Sequence, residues 1–180
     1  MVKIVFESHG TTFDNEAKVA SGHYDVELSP LGEEQAKKLG ERHKNRMLDG
    51  IFCSDLKRSY RTAEIAFMSR DIPIVKDARL RECDYGELTR RPSSEVESHR
   101  SEYVEKPFPG GESYTQTAAR MKHFLQELRK DYHGTHTIMI IGHRATQYGL
   151  EHWLKDVPLP EAVTAPWSWQ PGWIYYLKKI

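Results

Sequence analysis

The sequence has few cysteines, no excess charge of either sign and no long apolar run. Cys53 and Cys83 are the only cysteines among 180 residues, and no CxxC spacing joins them. We therefore expect free, buried thiols in a reducing cytoplasm and not a disulfide framework. The 26 basic and 26 acidic residues cancel, so bulk charge gives no reason to expect a nucleic-acid or membrane-surface partner.

Two further absences narrow the class of protein. No apolar stretch approaches the roughly 20 residues that a membrane-spanning helix needs. The first residues, Met1-Val2-Lys3-Ile4, enter a strand at once and lack the apolar core of a signal peptide. The nine histidines form no HxH or HExxH pattern, so a histidine-rich metal hydrolase is only weakly indicated. We expect a cytoplasmic protein without a membrane or nucleic-acid partner.

Short apolar strands alternate with amphipathic helices along the chain, which predicts βαβ units in a mainly parallel sheet. Strands are expected at 2–6, 50–54, 72–75, 137–141 and 173–177, with 137–141 central and 173–177 at the sheet edge. Helices are expected at 30–43, from about 55 to 68, from 113 to 132 and at 145–154. Ser29 should cap the first helix with Pro30 at its first position, and Ser54 or Asp55 should cap the second.

The stretch from 80 to 112 breaks this alternation. It is charged and interrupted by Pro92, Pro107 and Pro109, with room for one short helix near 94–103. Long loop-rich segments inside a domain of this size usually cover a ligand. We predict a single domain over 1–180 with a lid at about 84–112.

Two histidines follow predicted strands at the edge where α/β proteins bind ligands. His9 comes after the strand at 2–6, and His143 comes after Ile141-Gly142. Each taken alone is more simply a hydrogen-bonded structural histidine. Two at equivalent strand ends indicate a site for nucleophilic or acid–base chemistry.

Two charged residues fall near the same edge. Arg58 lies in the first turn of a helix, where a guanidinium can bind a phosphate bidentately, although a solvated surface arginine is the simpler alternative. Glu82 ends an apolar segment and enters the predicted lid. Its carboxyl is a candidate general acid, and an ion pair with Arg79 or Arg81 is the structural alternative.

These four residues, in this order, resemble the histidine phosphatase superfamily, the phosphoglycerate-mutase-like enzymes. The resemblance runs from Lys3 to about Trp153. It rests on six segments, which are weak separately and specific in order: Ser8-His9-Gly10 with Thr12 and Asn15, Gly22-His23-Tyr24-Asp25 with Leu28-Ser29-Pro30-Leu31-Gly32, Ser54-Asp55-Leu56-Lys57-Arg58, Leu80-Arg81-Glu82 with Tyr85-Gly86, Pro109-Gly110-Gly111-Glu112-Ser113, and Ile141-Gly142-His143.

The resemblance implies a three-layer α/β/α sandwich with an antiparallel edge strand and a role for each catalytic residue. His9 would form a phosphohistidine, Arg58 and His143 would bind the phosphoryl group, and Glu82 would act as general acid and base. Thr12, Asn15 and Gly22 are expected to line the substrate pocket. The substrate would be a small phosphomonoester, hydrolysed by a monomer or homodimer without a metal or other cofactor.

Two residues depart from the family pattern. Ser8 stands where the family has arginine, and the loss of one charge-assisted hydrogen bond, about 1.5–3 kcal/mol, would weaken phosphate stabilisation roughly ten- to a hundredfold. Pleating should turn the neighbouring Glu7 away from the site. Arg144 stands where relatives commonly have a small residue. We hypothesise that it replaces the missing guanidinium; the alternative is an arginine that only flanks the helix at 145–154.

Two alternatives to this hydrolase remain. A phosphate-ligand binding domain with little or no turnover would fit Ser8, although the joint presence of all four catalytic residues opposes it. A mutase is a further possibility within the same superfamily. The tryptophans at 167, 169 and 173 are expected to serve core or dimer packing.

Overall fold

The computed structural model describes residues 1–180 and contains a five-stranded sheet with helices on both faces. The strands are β1 (Lys3–Ser8), β2 (Gly50–Cys53), β3 (Ile74–Lys76), β4 (Thr137–Gly142) and β5 (Trp173–Tyr176). Their order in the sheet is β3-β2-β4-β1-β5, with β4 in the middle as predicted. β5 runs antiparallel to β1, and the other pairs are parallel.

Seven α-helices accompany the sheet, and none of them is long and apolar enough to span a bilayer. The Ser29 hydroxyl accepts the Gly32 amide at 3.3 Å, which confirms the predicted cap. The helix after β2 instead begins behind Leu56 without a side-chain cap, so that expectation was wrong. The helices are α1 (Phe13–Glu16), α2 (Pro30–His43), α3 (Lys57–Phe67), α4 (Ser93–His99), α5 (Tyr114–Asp131), α6 (Arg144–Lys155) and α7 (Leu159–Thr164), of which α1 and α7 were not predicted.

Strand side chains alternate between two apolar layers, because successive residues of a strand point to opposite faces. Ile4 and Ile138 pack toward Leu125 of α5, and Val5 and Met139 pack toward the other face. Leu39 of α2 and Phe67 of α3 complete that second layer. The predicted three-layer sandwich is confirmed.

The segment from 84 to 112 packs against the end of the sandwich. It contains α4 and the 3₁₀ turns Gly86–Leu88 and Arg100–Tyr103, where one short helix was expected. Val96, Val104 and Phe108 are buried in a cluster with residues of α5, α6 and α7. This cluster fixes the segment over the carboxyl side of β1, and its service as a lid stays a prediction.

A close backbone contact joins the loop after β1 to α2. A Cβ on Gly10 would lie 2.5 Å from the Gly32 carbonyl oxygen, and a Cβ on Gly32 would overlap the Thr11 carbonyl oxygen. Both obstacles are backbone atoms, which cannot rotate away. The pair of glycines therefore lets the loop that carries His9 lie directly on the first turn of α2.

Gly32→Ala should destabilise the fold by about 1–3 kcal/mol, because the added methyl group forces backbone apart in a packed region. Urea unfolding measures the change. The control is Glu41→Ala on the same helix, whose carboxylate is 75% exposed and pairs only with Lys44, and whose loss should cost less than about 1 kcal/mol. Equal stabilities for the two variants would contradict the packing argument.

Candidate active site

The ends of β1 and β4 bring the two predicted histidines together. Ser8 pairs with Gly142 across these parallel strands, and the His9 amide donates to the Gly142 carbonyl at 3.1 Å. The ring centroids of His9 and His143 are 5.0 Å apart.

The His9 ring has one nitrogen fixed and one free. Nδ1 lies 2.7 Å from the Gly10 carbonyl oxygen. A carbonyl only accepts hydrogen bonds, so Nδ1 carries the proton and Nε2 keeps its lone pair. Burial and then the Arg58 charge lower the pKa of His9 to about 3, well below the ordinary histidine value. The arrangement suits a neutral nucleophile.

His143 is 1% exposed and is held by a residue that the sequence did not single out for this role. Its Nε2 and the Ser54 hydroxyl are hydrogen bonded at 2.7 Å, while Nδ1 is buried without a partner. Burial and then the Arg58 charge place its pKa well below the ordinary histidine value. Ser54 directly follows β2, the neighbour of β4, and that position after a strand was the only sequence signal for its role.

Arg58 lies at the start of α3 and is 2% exposed, so it is not the solvated surface arginine of the alternative reading. Its Nη1 donates to the Tyr24 carbonyl at 3.1 Å and its Nη2 to the Gly22 carbonyl at 2.7 Å. Both partners are neutral. A buried guanidinium held by carbonyl groups favours the binding of an anion.

Glu82 presents its carboxyl group to the same cavity. Its Oε1 accepts the Cys83 amide at 2.8 Å and the Ala145 amide at 3.3 Å. The ion pairs offered as the alternative are absent, because Arg79 pairs with Asp77 and Arg81 pairs with Asp55. The carboxyl is thereby oriented by backbone amides and not by a neighbouring cation.

A salt bridge from the Pro109–Ser113 segment holds the backbone at Glu82. Arg120 pairs with Glu112 at 3.0 Å and donates to the Glu82 carbonyl at 2.7 Å. The His23 ring nitrogen Nε2 lies 2.8 Å from the same carbonyl oxygen. This segment, quoted from the sequence without a role, thus positions the candidate acid.

The cavity beside these residues has a volume of about 660 Å³. Ser8, Asn15, Gly22 and Arg144 line it, together with His9, Arg58 and Glu82. Thr12 is fully buried and caps α1 by accepting the Asn15 amide at 3.0 Å, and the neighbouring Thr11 lines the cavity. His143 is not among the lining residues and lies beside His9, with the two ring centroids 5.0 Å apart.

Aromatic residues from distant segments form the far side of the cavity. Trp167 and Trp169, expected from the sequence in core or dimer packing, line it together with Tyr148. The Arg144 guanidinium lies over the rings of Tyr148 and Trp167, with its carbon 5.7 and 5.5 Å from the ring centroids. Arg144 is the first residue of α6, and its side chain faces the cavity wall.

Glu7 points away from the cavity, as pleating predicted. It is fully buried on the α2 side of the sheet, where Oε1 lies 2.6 Å from His43 Nε2 and Oε2 accepts from Arg42 at 3.1 Å. Its charge is therefore matched by partners on the face opposite to Ser8.

A sequence model of the histidine phosphatase superfamily (branch 1) matches residues 4–168. The chain belongs to this superfamily. Phosphoserine phosphatase 1 of Hydrogenobacter thermophilus is 33% identical over 151 residues, which cover 79% of this chain and 71% of the relative. A probable phosphoglycerate mutase, GpmB, of Erwinia tasmaniensis is 35% identical over 133 residues, which cover 69% of this chain and 62% of the mutase.

Solved structures of the superfamily agree with the fold. Bacillus stearothermophilus YhfR superposes with a TM-score of 0.83 at 24% identity and covers 98% of this chain and 95% of its own. A mycobacterial glucosyl-3-phosphoglycerate phosphatase complexed with VO3 has a TM-score of 0.79 at 25% identity, with 91% and 87% covered. These matches support phosphatase activity in general and confirm that part of the sequence prediction.

The stability of this histidine phosphatase should depend on pH through His9. The unfolded histidine binds a proton below about pH 6.5, whereas the folded one resists it down to a pKa of about 3. The contribution of His9 to the free energy of unfolding is therefore complete above pH 6.5. It decreases on acidification, by up to about 1.4 kcal/mol per pH unit. His9→Gln should therefore flatten the fall in unfolding free energy between pH 6 and 4.5.

Urea unfolding at several pH values measures this slope. Titrating groups that the wild type and the variant share contribute equally to both slopes, so they cancel when one slope is subtracted from the other. His123→Gln, which removes an exposed histidine of α5, is the matched control and should keep the wild-type slope. An identical slope for His9→Gln would show that His9 titrates alike in the folded and unfolded chain.

Proposed function

We propose that the protein hydrolyses a small phosphomonoester in two displacements, through a phosphohistidine on His9. Two features of the site carry the proposal. The His9 imidazole is neutral, with its Nδ1 bound to the Gly10 carbonyl, and the buried Arg58 has only carbonyl groups as hydrogen-bond partners. The first supplies a nucleophile and the second supplies an anion site beside it.

In the first displacement, His9 Nε2 forms a bond to phosphorus as the ester oxygen leaves. Arg58 stabilises the charge on the phosphoryl oxygens, and His143 donates from Nδ1, the nitrogen without a partner in the protein. The hydrogen bond to Ser54 would keep that proton on Nδ1. Glu82 in its protonated form gives its proton to the departing alcohol.

In the second displacement, a water molecule attacks phosphorus and the bond to Nε2 breaks. Glu82, now a carboxylate, takes the proton of the attacking water. Inorganic phosphate leaves, and both His9 and Glu82 return to their starting states. One carboxyl group thus serves both halves of the reaction.

Hydrolysis is favoured over phosphoryl transfer within the substrate. Superfamily mutases tend to have larger substrate-enclosing insertions, whereas the segment from 84 to 112 of this chain holds only one short helix and two 3₁₀ turns. The replacement of the lost arginine at position 8 by Arg144 stays a separate prediction. Arg144 lines the same cavity as Ser8, but the charge that acts on both histidines is that of Arg58.

His9→Gln should abolish hydrolysis of every ester in a phosphomonoester panel, because the nucleophilic nitrogen is lost. Rapid quenching of the wild type in alkali should leave a phosphate adduct on the His9 peptide, detected by mass spectrometry. His123→Gln should retain both activity and adduct. Phosphate-ligand binding without turnover in the wild type would overturn the proposal in favour of a binding domain.

Glu82→Gln should affect esters according to their leaving groups. Gln keeps an oxygen to accept the Cys83 and Ala145 amides but cannot give up a proton. We expect a loss of kcat/KM of roughly 10²–10⁴ for alkyl phosphates and a much smaller loss for 4-nitrophenyl phosphate, whose phenolate leaves without help. Equal losses for both esters would remove Glu82 from the role of general acid.

A further inference from the structure

The Arg144 guanidinium has donor groups that no protein atom satisfies. Its Nε and Nη2 atoms are buried and have no hydrogen-bond partner. The side chain lines the cavity described above. Buried donors on a charged group are unfavourable when they stay unpaired, so these nitrogens are better explained by a ligand than by the folded chain alone.

Aromatic residues hold this guanidinium in place. Its carbon lies over the rings of Tyr148 and Trp167, at 5.7 and 5.5 Å from their centroids. Trp167 is itself fixed, because its indole N–H donates to Gln147 Oε1 at 2.9 Å. Rings on the faces of a guanidinium leave its in-plane N–H groups free, and these form a fork that matches a carboxylate or phosphate.

The surroundings of this fork differ from those of Arg58, which is held by two backbone carbonyl groups. Arg58 is the arginine whose charge acts on His9 and His143. Arg144 instead stacks on the aromatic side of the cavity, and a cavity of about 660 Å³ has room for a substrate much larger than one phosphate. Arg100 lines the same region and donates to the Tyr148 hydroxyl at 3.4 Å, which adds a second cation there.

We propose that Arg144 binds a second anionic group, on the alcohol part of the substrate that leaves after phosphoryl transfer. The substrate class is then a phosphomonoester that also carries a carboxylate or a second phosphate. The inference rests on the proposed function for the identity of the transferred group. Glu97 is the exposed acid on this side of the cavity, and it lies in contact with solvent, which screens its repulsion of an anion.

Matched pairs of esters test the inference. The carboxylate arm compares 3-phosphoglycerate with glycerol 3-phosphate, and the phosphate arm compares propane-1,3-diol bisphosphate with its monophosphate. The wild type should prefer the anionic member of at least one pair in kcat/KM. Arg144→Met should reduce that preference ratio roughly ten- to a hundredfold, the value of a charge-assisted bidentate pair.

Two further variants sharpen the result. Arg144→Lys keeps the charge but not the planar fork, so it should restore the preference only in part. Arg129→Met removes an exposed arginine of α5 and should keep the wild-type ratio. A ratio that is unchanged in Arg144→Met, because both members lose equally, would overturn the inference and place Arg144 at the transferred phosphoryl group.

Calorimetric binding of the same esters separates failure of the subsite from failure of the catalytic proposal. An anion preference in Kd that disappears in Arg144→Met supports the subsite, even if no ester is turned over. Turnover that depends on His9 without any anion preference in kcat/KM or Kd would overturn the subsite and leave the phosphatase proposal standing.

Discussion

The parallel pairing of β1 with β4 is the constraint on which the site depends. Ser8 lies opposite Gly142, so the residues that follow, His9 and His143, leave the sheet side by side. Both strands are buried, and a slip of one residue would exchange their faces. Such a slip would carry the Glu7 carboxylate from its partners on α2 toward the cavity. The buried pairing of Glu7 with His43 and Arg42 therefore protects the register as well as the charge balance of the site.

The same burial prepares the site for an anion. Removal of water lowers the pKa of both histidines, because the charged imidazolium loses its hydration, while Arg58 keeps its charge among carbonyl groups. The result is one buried cation beside two neutral imidazoles. On the proposed mechanism, a phosphate would supply the hydrogen-bonded anion that Arg58 lacks in the free protein and would offset the desolvation of that arginine. Burial is thus the cause of both the neutral state of His9 and the affinity of the site for an anion.

Local sequence signals were sufficient to predict that three of the candidate residues lie near one edge of the sheet. His9, Arg58 and His143 each follow an apolar run closely, and such runs can be located without knowing what packs against them. Ser54 was interpreted as a helix cap, because its contact with His143 depends on β2 lying beside β4. The aromatic contacts of Arg144 were equally out of reach, since Trp167 comes from an irregular segment whose path is set by tertiary packing. Only the presence of an unusual arginine was visible.

Compared with the family pattern, the chain lacks an arginine at position 8 and has an additional one at position 144, and both positions line the same cavity. An arginine at position 8 would stabilise the transferred phosphoryl group of any ester, whereas Arg144 contacts the aromatic side, where the alcohol part would lie. Binding energy from a non-reacting part of a substrate can be used to orient the reacting part. If Arg144 binds a second anionic group as proposed, the chain loses some stabilisation for every phosphomonoester and regains it only for esters with a matching anion. The serine before His9 would then narrow the specificity as well as weaken the chemistry on all other esters.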